Sequence, residues 1–260
     1  MKLSFVIPTR NQAAFIRRTI DSCLLQGVTD AEVLVIDGQS TDGTQEILAS
    51  YGERITWTSE RDSGQAEAVN KGIARASGEI IAWINSDDFY PGENVLRDVL
   101  AVFAQDAAIE VVFGDALMVD IRGAAIRPYR NRAYLRASDW LVSPIGPSQP
   151  ATFFRRDLYL RIGGLRQELH WALDYDLFLR MFAASTATRY VPRTLAHATF
   201  HVEAKTIRGM LPQIREVAQL KREHATHIKL GGIARVRMWL GVAELYLYWA
   251  VVKMGLRRVV

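Results

Sequence analysis

The sequence predicts an α/β fold, a mostly parallel sheet with helices on both faces, followed by a C-terminal helical tail. Three observations predict it. Short apolar runs alternate with stretches of helical periodicity through residues 3–84. Polar or glycine-rich clusters follow most of the apolar runs. The 260 residues, 49% of them hydrophobic and 23% charged, suffice for a full core. Short β-α units of this kind call for parallel strands covered on both faces.

Leu3–Ile7 reads as a buried strand, and Ile16, Ile20, Cys23 and Leu24 follow at helical spacing. Glu32–Ile36 is a second strand, with a helix around Thr44–Ser50 after it. Arg54–Thr58 is a third strand. Ala66, Val69, Ile73 and Ala76 form the apolar stripe of the next helix, and Glu79–Ile84 is the fourth strand. Beyond residue 106 the pattern loosens. Ile109–Phe113 reads as a fifth strand, and residues 116–143 show no clear period. Pro144, Pro147 and Pro150 mark a rigid loop before Ala151–Phe154. A helix from about Asp174 to Ala184 carries Leu177, Phe178, Met181 and Phe182 on one side. Arg189–Val191 and Leu195–Phe200 read as late strands, and from Thr206 onward the chain reads helical.

Composition excludes several classes. Gly 18, Pro 8 and Cys 1 do not describe a collagen-like, disordered or disulfide-scaffold chain. A lone Cys23 makes no internal disulfide, which suits a reducing compartment, and the apolar run after Lys2 is too short for a signal peptide. Both point to a cytoplasmic location. The net charge of +4 is unevenly spread: residues 206–260 carry ten Lys/Arg against three acids, so the remainder is slightly acidic. That is not the footprint of a nucleic-acid binder.

Right-handed crossovers put the C-terminal ends of parallel strands on one edge, where ligands of open sheets collect. The first strand ends in Pro8-Thr9-Arg10-Asn11, the second in Asp37-Gly38-Gln39-Ser40-Thr41-Asp42-Gly43-Thr44, the fourth in Asn85-Ser86-Asp87-Asp88. Such residues also build ordinary turns. Three clusters on one edge favour a site. Asp37 there can accept a hydrogen bond from a base or ribose, and Gly38 and Gly43 permit close backbone approach. The adjacent carboxylates Asp87 and Asp88 repel unless a cation or donors hold them, and hard oxygen ligands suit Mg²⁺ or Mn²⁺ shared with phosphate. No G-x-G-x-x-G follows the first strand and no P-loop occurs, which argues against a dinucleotide oxidoreductase, a P-loop enzyme and a typical methyltransferase.

Val6-Ile7-Pro8-Thr9-Arg10-Asn11, the Asp37–Thr44 segment and Asn85-Ser86-Asp87-Asp88 together resemble the inverting family 2 glycosyltransferases of the GT-A fold. Asp62-Ser63-Gly64-Gln65 with Asn70-Lys71-Gly72 is similar to the family's D-x-G…N-K-G segment. Gln149–Arg156, Gly163-Gly164-Leu165 and Ala172–Leu177 also fit, so the resemblance covers about residues 3–205. It implies a catalytic domain over 1–205, with a nucleotide-binding half at about 1–106 and an acceptor half at about 107–205, before a basic amphipathic tail over 206–260. It implies that Pro8, Thr9 and Asp37 hold the nucleoside and that Asp87 assists at the ribose. Asn11, Asp62, Asn70, Lys71 and Gln149 join the donor site. His201 would lie near the leaving diphosphate with Lys205 assisting, although a lone His is as often structural. Asp88 would ligate a divalent metal, Mg²⁺ or Mn²⁺, although the sequence has Ser-Asp-Asp in place of a literal D-x-D.

Asp174 fits the family's catalytic base, with Leu173 standing where the family usually has an acidic residue. Without the resemblance, a carboxylate in a helix first turn is explained by the dipole alone, and Asp176 is the second choice for the base. His170 and Trp171 line an acceptor pocket or belong to the core. The implied reaction is transfer of a sugar from a nucleotide-sugar donor to an acceptor hydroxyl with inversion, in surface polysaccharide or glycolipid assembly. Two other readings stay open: a non-catalytic nucleotide-sugar-binding membrane-associated protein, and a sugar-phosphate nucleotidyltransferase. The latter needs a glycine-rich loop that Pro8-Thr9-Arg10-Asn11 does not supply.

In the tail, Trp239–Val252 runs fourteen residues with Glu244 as the only charge, flanked by Arg235, Arg237, Lys253, Arg257 and Arg258. A spanning helix needs about 20 apolar residues. This segment instead suits a helix on an anionic membrane surface, with the enzyme peripheral on the inner face and the acceptor a lipid-linked glycan. Burial against the catalytic domain or a second copy is the other reading, and self-association is left open.

Overall fold

A computed structural model describes residues 1–131, 133–143, 146–201 and 209–253. Four parallel strands head the chain: β1 (Leu3–Thr9), β2 (Ala31–Asp37), β3 (Thr56–Ser59) and β4 (Ile80–Trp83). All seven residues of β1 are buried, which is why it reads as a continuous apolar run. Thr9 lies beside Asp37, and Asp37 beside Ser59, so these strands deliver their polar ends to one edge as expected. Helices α1 (Ile16–Leu24), α2 (Thr44–Ala49) and α3 (Gln65–Arg75) link them. A further helix, α4 (Val95–Gln105), buries Val95, Leu96, Val99 and Phe103. Its apolar stripe follows helical spacing.

The second half is more regular than its sequence suggests. Strands β5 (Ile109–Val119) and β6 (Ala125–Tyr129), helix α5 (Ala137–Val142), strand β7 (Thr152–Arg155) and helix α6 (Arg156–Arg161) occupy residues 109–161. They are followed by α7 (Leu173–Ala184), β8 (Ala187–Thr199), α8 (Met210–His227) and α9 (Gly232–Lys253). The eight strands form one sheet in the order β3-β2-β1-β4-β7-β5-β6, with β8 paired to β5. β7 runs antiparallel to both β4 and β5, whereas β8 runs parallel to β5. β8 is one strand where two short ones were expected. The pairing jumps from Val191 opposite Gly114 to Thr194 opposite Asp115, so Pro192 and Arg193 bulge out and break the alternation.

The sheet separates two apolar layers. Phe5, Ile7, Val35 and Ala82 face Ile16, Ile20, Val99 and Phe103 of α1 and α4. Val6, Leu34, Ile81 and Phe113 face α3 and α7, and that same cluster continues into Val217 and Leu220 of α8 and Met238 of α9. The C-terminal helices are thus packed on the body that carries the sheet. α9 buries Met238, Gly241 and Val242 but leaves Ile233, Val236, Leu240 and Leu247 exposed. No helix among the described residues is long and apolar enough to cross a membrane. Pro144, Lys205, Arg257 and Arg258 lie outside the described residues.

Candidate active site

The edge formed by β1 and β2 is laced by short polar contacts. Asp37 is fully buried and accepts hydrogen bonds from Ser40 N (3.1 Å), Ser40 Oγ (2.5 Å) and Ser59 Oγ (2.6 Å). Asn11, in the left-handed region at φ 53°, donates its N–H to Ser40 Oγ (2.7 Å), and its Oδ1 accepts from Thr41 N (2.9 Å). These two residues shape the edge and do not line the cavity beside it. A Cβ on Gly38 would come within 2.7 Å of Asp62 Oδ2, so a side chain here would push the Asp62 carboxylate aside.

The cavity holds about 680 Å³ and lies between the ends of β1 and β4, the 147–150 segment and the start of α7. Of the residues singled out in the sequence, Pro8, Thr9, Asp62, Asp87, Asp88, Gln149, Asp174 and His201 line it. Four wall residues carry buried polar atoms without a partner: Thr9 Oγ1, Gln12 Oε1, Gln149 Oε1 and Trp83 Nε1. Unpaired buried groups of this kind are rare and are satisfied by a ligand or ordered water. They mark the cavity as a polar binding site.

The Asp87–Asp88 turn is pinned from two sides. Arg18 of α1 stacks on the Phe89 ring (4.3 Å) and donates from Nη2 to Thr199 Oγ1 (2.9 Å). A two-way backbone pair between Phe89 and His197 (2.8 and 3.1 Å) joins this turn to β8. The two carboxylates differ. Asp88 is buried and its Oδ1 accepts from Thr199 N (2.8 Å); burial, then the charge of Asp87, pushes its carboxyl well above the usual range. Asp87, with its side chain 22% exposed, places Oδ2 2.9 Å from His201 Nε2. Asp87 is thus the most exposed of the three cavity-lining groups, His201 and Asp88 both being buried. Among the described residues, no cluster of three or more His, Cys, Asp or Glu forms a ready-made metal site. The carboxylate and imidazole fit a cation whose remaining ligands come from a diphosphate.

Asp174, in the first turn of α7, lines the same cavity, its Oδ1 accepting from Tyr175 N (2.8 Å). Asp176 does not line the cavity. It is fully buried, bonded by Oδ2 to Arg180 Nε (2.8 Å) and by Oδ1 to His224 Nε2 (2.9 Å). Burial would raise its carboxyl, but the His224 and Arg180 contacts outweigh that and hold it below the usual range.

Two residues expected at the donor site bond to neighbouring elements. Asn70 accepts at Oδ1 from Tyr159 OH (2.5 Å) and Leu165 N (3.0 Å), and donates from Nδ2 to Leu165 O (2.9 Å). It brackets α3 to the Gly163-Gly164-Leu165 turn. Lys71 pairs with Glu67 (2.8 Å) and donates to Arg61 O (3.1 Å). Neither lines the cavity. Conversely, Trp171, Met210, Gln213 and Tyr248 complete the wall around Asp174. Of these only Trp171 was legible in the sequence, from its place beside the base.

The family model described as glycosyl transferase family 2 matches residues 4–162. The chain belongs to glycosyl transferase family 2. A PGL/p-HBAD biosynthesis glycosyltransferase of Mycobacterium bovis is 30% identical over 193 residues, covering 72% of this chain and 73% of its own. An uncharacterized glycosyltransferase of Rickettsia felis is 26% identical over 213 residues; the match covers 77% of this chain, but this chain spans only 34% of that relative's length. Residues 1–349 of S. aureus TarS, in complex with UDP-GlcNAc, give a TM-score of 0.69 at 20% identity, covering 95% of this chain and 72% of that one. The mannosyltransferase PcManGT of Pyrobaculum calidifontis, in complex with GDP-Man and Mn²⁺, gives 0.68 at 19%, covering 97% and 75%. These structures share the GT-A fold with this family 2 chain. Its Asp174, His201 and both C-terminal helices lie beyond the segment matched by the family model.

Proposed function

We propose that this family 2 chain transfers a sugar from a nucleotide-sugar donor to an acceptor hydroxyl with inversion, in glycolipid or surface-polysaccharide assembly. The observation that carries the reading is the position of Asp174, facing the same cavity as Asp87, His201 and the unpartnered Thr9 and Gln149. A carboxylate lining the cavity that would hold the diphosphate suits a single displacement. Asp174 takes the proton of the acceptor hydroxyl as that oxygen bonds to the anomeric carbon. The bond from that carbon to the diphosphate oxygen breaks on the other face, and the configuration inverts. Asp87, with His201, would hold a divalent cation, with Asp88 supporting the turn from beneath; when bound, that cation neutralises charge on the departing diphosphate. The donors bound by TarS and PcManGT, UDP-GlcNAc and GDP-Man, support a nucleotide sugar here. The name of the mycobacterial relative supports a glycolipid-type acceptor.

α9 supports placement at a membrane surface. Its exposed stripe of Ile233, Val236, Leu240 and Leu247 shares the helix with Arg235, Arg237 and Lys253, while Tyr248 of the same helix reaches the cavity wall. A lipid-linked acceptor held at that surface meets Asp174 without leaving the bilayer.

Calorimetric titration with UDP-GlcNAc and GDP-mannose, with and without Mn²⁺, tests the donor reading. Asp174→Asn tests the base: it retains nucleotide binding and loses transfer. Absence of binding by every nucleotide sugar tried, or full transfer by Asp174→Asn, overturns the reading.

A further inference from the structure

The start of α7 is held by a residue far away in sequence. Glu216, on the inward side of α8, accepts backbone N–H bonds from three consecutive residues, His170 (3.0 Å), Trp171 (2.7 Å) and Ala172 (2.5 Å). Those residues lead directly into Leu173 and Asp174. α8 grips the same segment again at its beginning, where the Trp171 ring lies on Gly209 so closely that a Cβ there would overlap it. Further along α8, Lys221 Nζ donates to Leu141 O (2.7 Å) and Ser143 O (2.5 Å), and His224 bonds Asp176 (2.9 Å). α8 is thus bonded at three points to the elements around the base.

We propose that Glu216 is a positioning residue for Asp174, so that α8, outside the segment matched by the family model, is part of the catalytic apparatus. The inference rests on Asp174 being the base. Three charge-assisted bonds from one carboxylate fix where α7 begins, and the first turn fixes where the Asp174 oxygens stand. A shift of about 1 Å at a reacting group costs roughly a hundredfold in rate. A tie of merely structural value would change stability and leave turnover alone.

The test compares Glu216→Ala, Glu216→Gln and Asp174→Asn in the full chain. UDP release from UDP-GlcNAc and GDP release from GDP-mannose are measured with Mn²⁺, and hydrogen exchange is followed at the amides of 170–172. Glu216→Ala should lower kcat at least about tenfold with the donor KM within about twofold, since the donor wall is untouched. Glu216→Gln, which keeps an acceptor oxygen, should fall between, and exchange at 170–172 should quicken in both. If Glu216→Ala fails to fold, Glu216→Gln carries the same comparison. Parent-like kcat in a Glu216 variant while Asp174→Asn is inactive overturns the positioning role alone, as does unchanged exchange. Parent-like turnover in Asp174→Asn overturns the base and the positioning with it.

Discussion

Asp87 Oδ2 and His201 Nε2 lie 2.9 Å apart, joining the turn after β4 to the residue that follows Phe200 beyond β8. The contact spans 114 positions of sequence and places an imidazole beside the more accessible of two neighbouring carboxylates. It ranks the pair. Both line the cavity, but Asp87 is the more exposed, whereas Asp88 has an oxygen committed to Thr199 N.

Asp87→Ala should therefore weaken Mn²⁺-dependent nucleotide binding by about 10–100-fold, the range for losing a ligand or its orienting partner. Asp88→Asn should do less, because an amide oxygen still accepts from Thr199 N. Calorimetry with UDP and GDP, with and without Mn²⁺, reads both. A larger loss in Asp88→Asn would reverse the ranking.

Asn70→Ala separates a structural bracket from a donor contact. The side chain makes bonds to Tyr159 OH and to both backbone groups of Leu165. Removing them strands partly buried partners, and a loss of about 2–3 kcal/mol in urea unfolding is expected. Nucleotide affinity should stay within about twofold, since Asn70 is off the cavity. A tenfold drop in affinity without a stability change would return Asn70 to the donor site.

The parts of this molecule that could be read from sequence are those whose signal is local. β1, β2 and β4 are apolar runs ending in polar clusters, and parallel topology alone brings Thr9, Asp37 and Asp87 to one edge. β8 was split by Pro192, whose bulge mimics a loop, and β6 carries Pro128 in a strand with no alternation. Within the site, a motif shows which residues recur together but not which side chain reaches the cavity. Asp37, Asn70 and Asp176 are carboxylates or amides in motif positions whose bonds all go inward. The contacts made by Glu216 cross 44 to 46 positions and leave no periodic trace.

Lys221 gives a stability profile with a definite sign. It is fully buried, and burial pushes its amine down to about 7. In the unfolded chain the amine holds its proton up to about pH 10.4. Between these values the unfolded state binds the extra proton, so this group makes stability rise with pH from about 7 upward; below about 7 its buried charge costs the most. Urea unfolding of the parent and Lys221→Met at pH 6, 7.5 and 9 should show the steeper upward slope in the parent. Equal slopes would mean that Lys221 keeps its ordinary amine in the folded state.

The α9 stripe makes a prediction about membranes that leaves the packed face intact. Ile233, Leu240 and Leu247 are 82%, 63% and 66% exposed, so replacing all three by Ser leaves Met238, Gly241 and Val242 seated on the body. Burying each in a bilayer interface contributes up to about 1.5–3 kcal/mol, and each basic neighbour adds about 1 kcal/mol on an anionic surface. The parent should sediment with phosphatidylglycerol vesicles, bind pure phosphatidylcholine less, and lose affinity as salt rises. The triple variant should bind anionic vesicles at least about thirtyfold more weakly, since even half of the full burial energy per residue exceeds about 2 kcal/mol in total. Its unfolding midpoint in urea should match the parent. Undiminished vesicle binding by the triple variant would show that this stripe is not the membrane face.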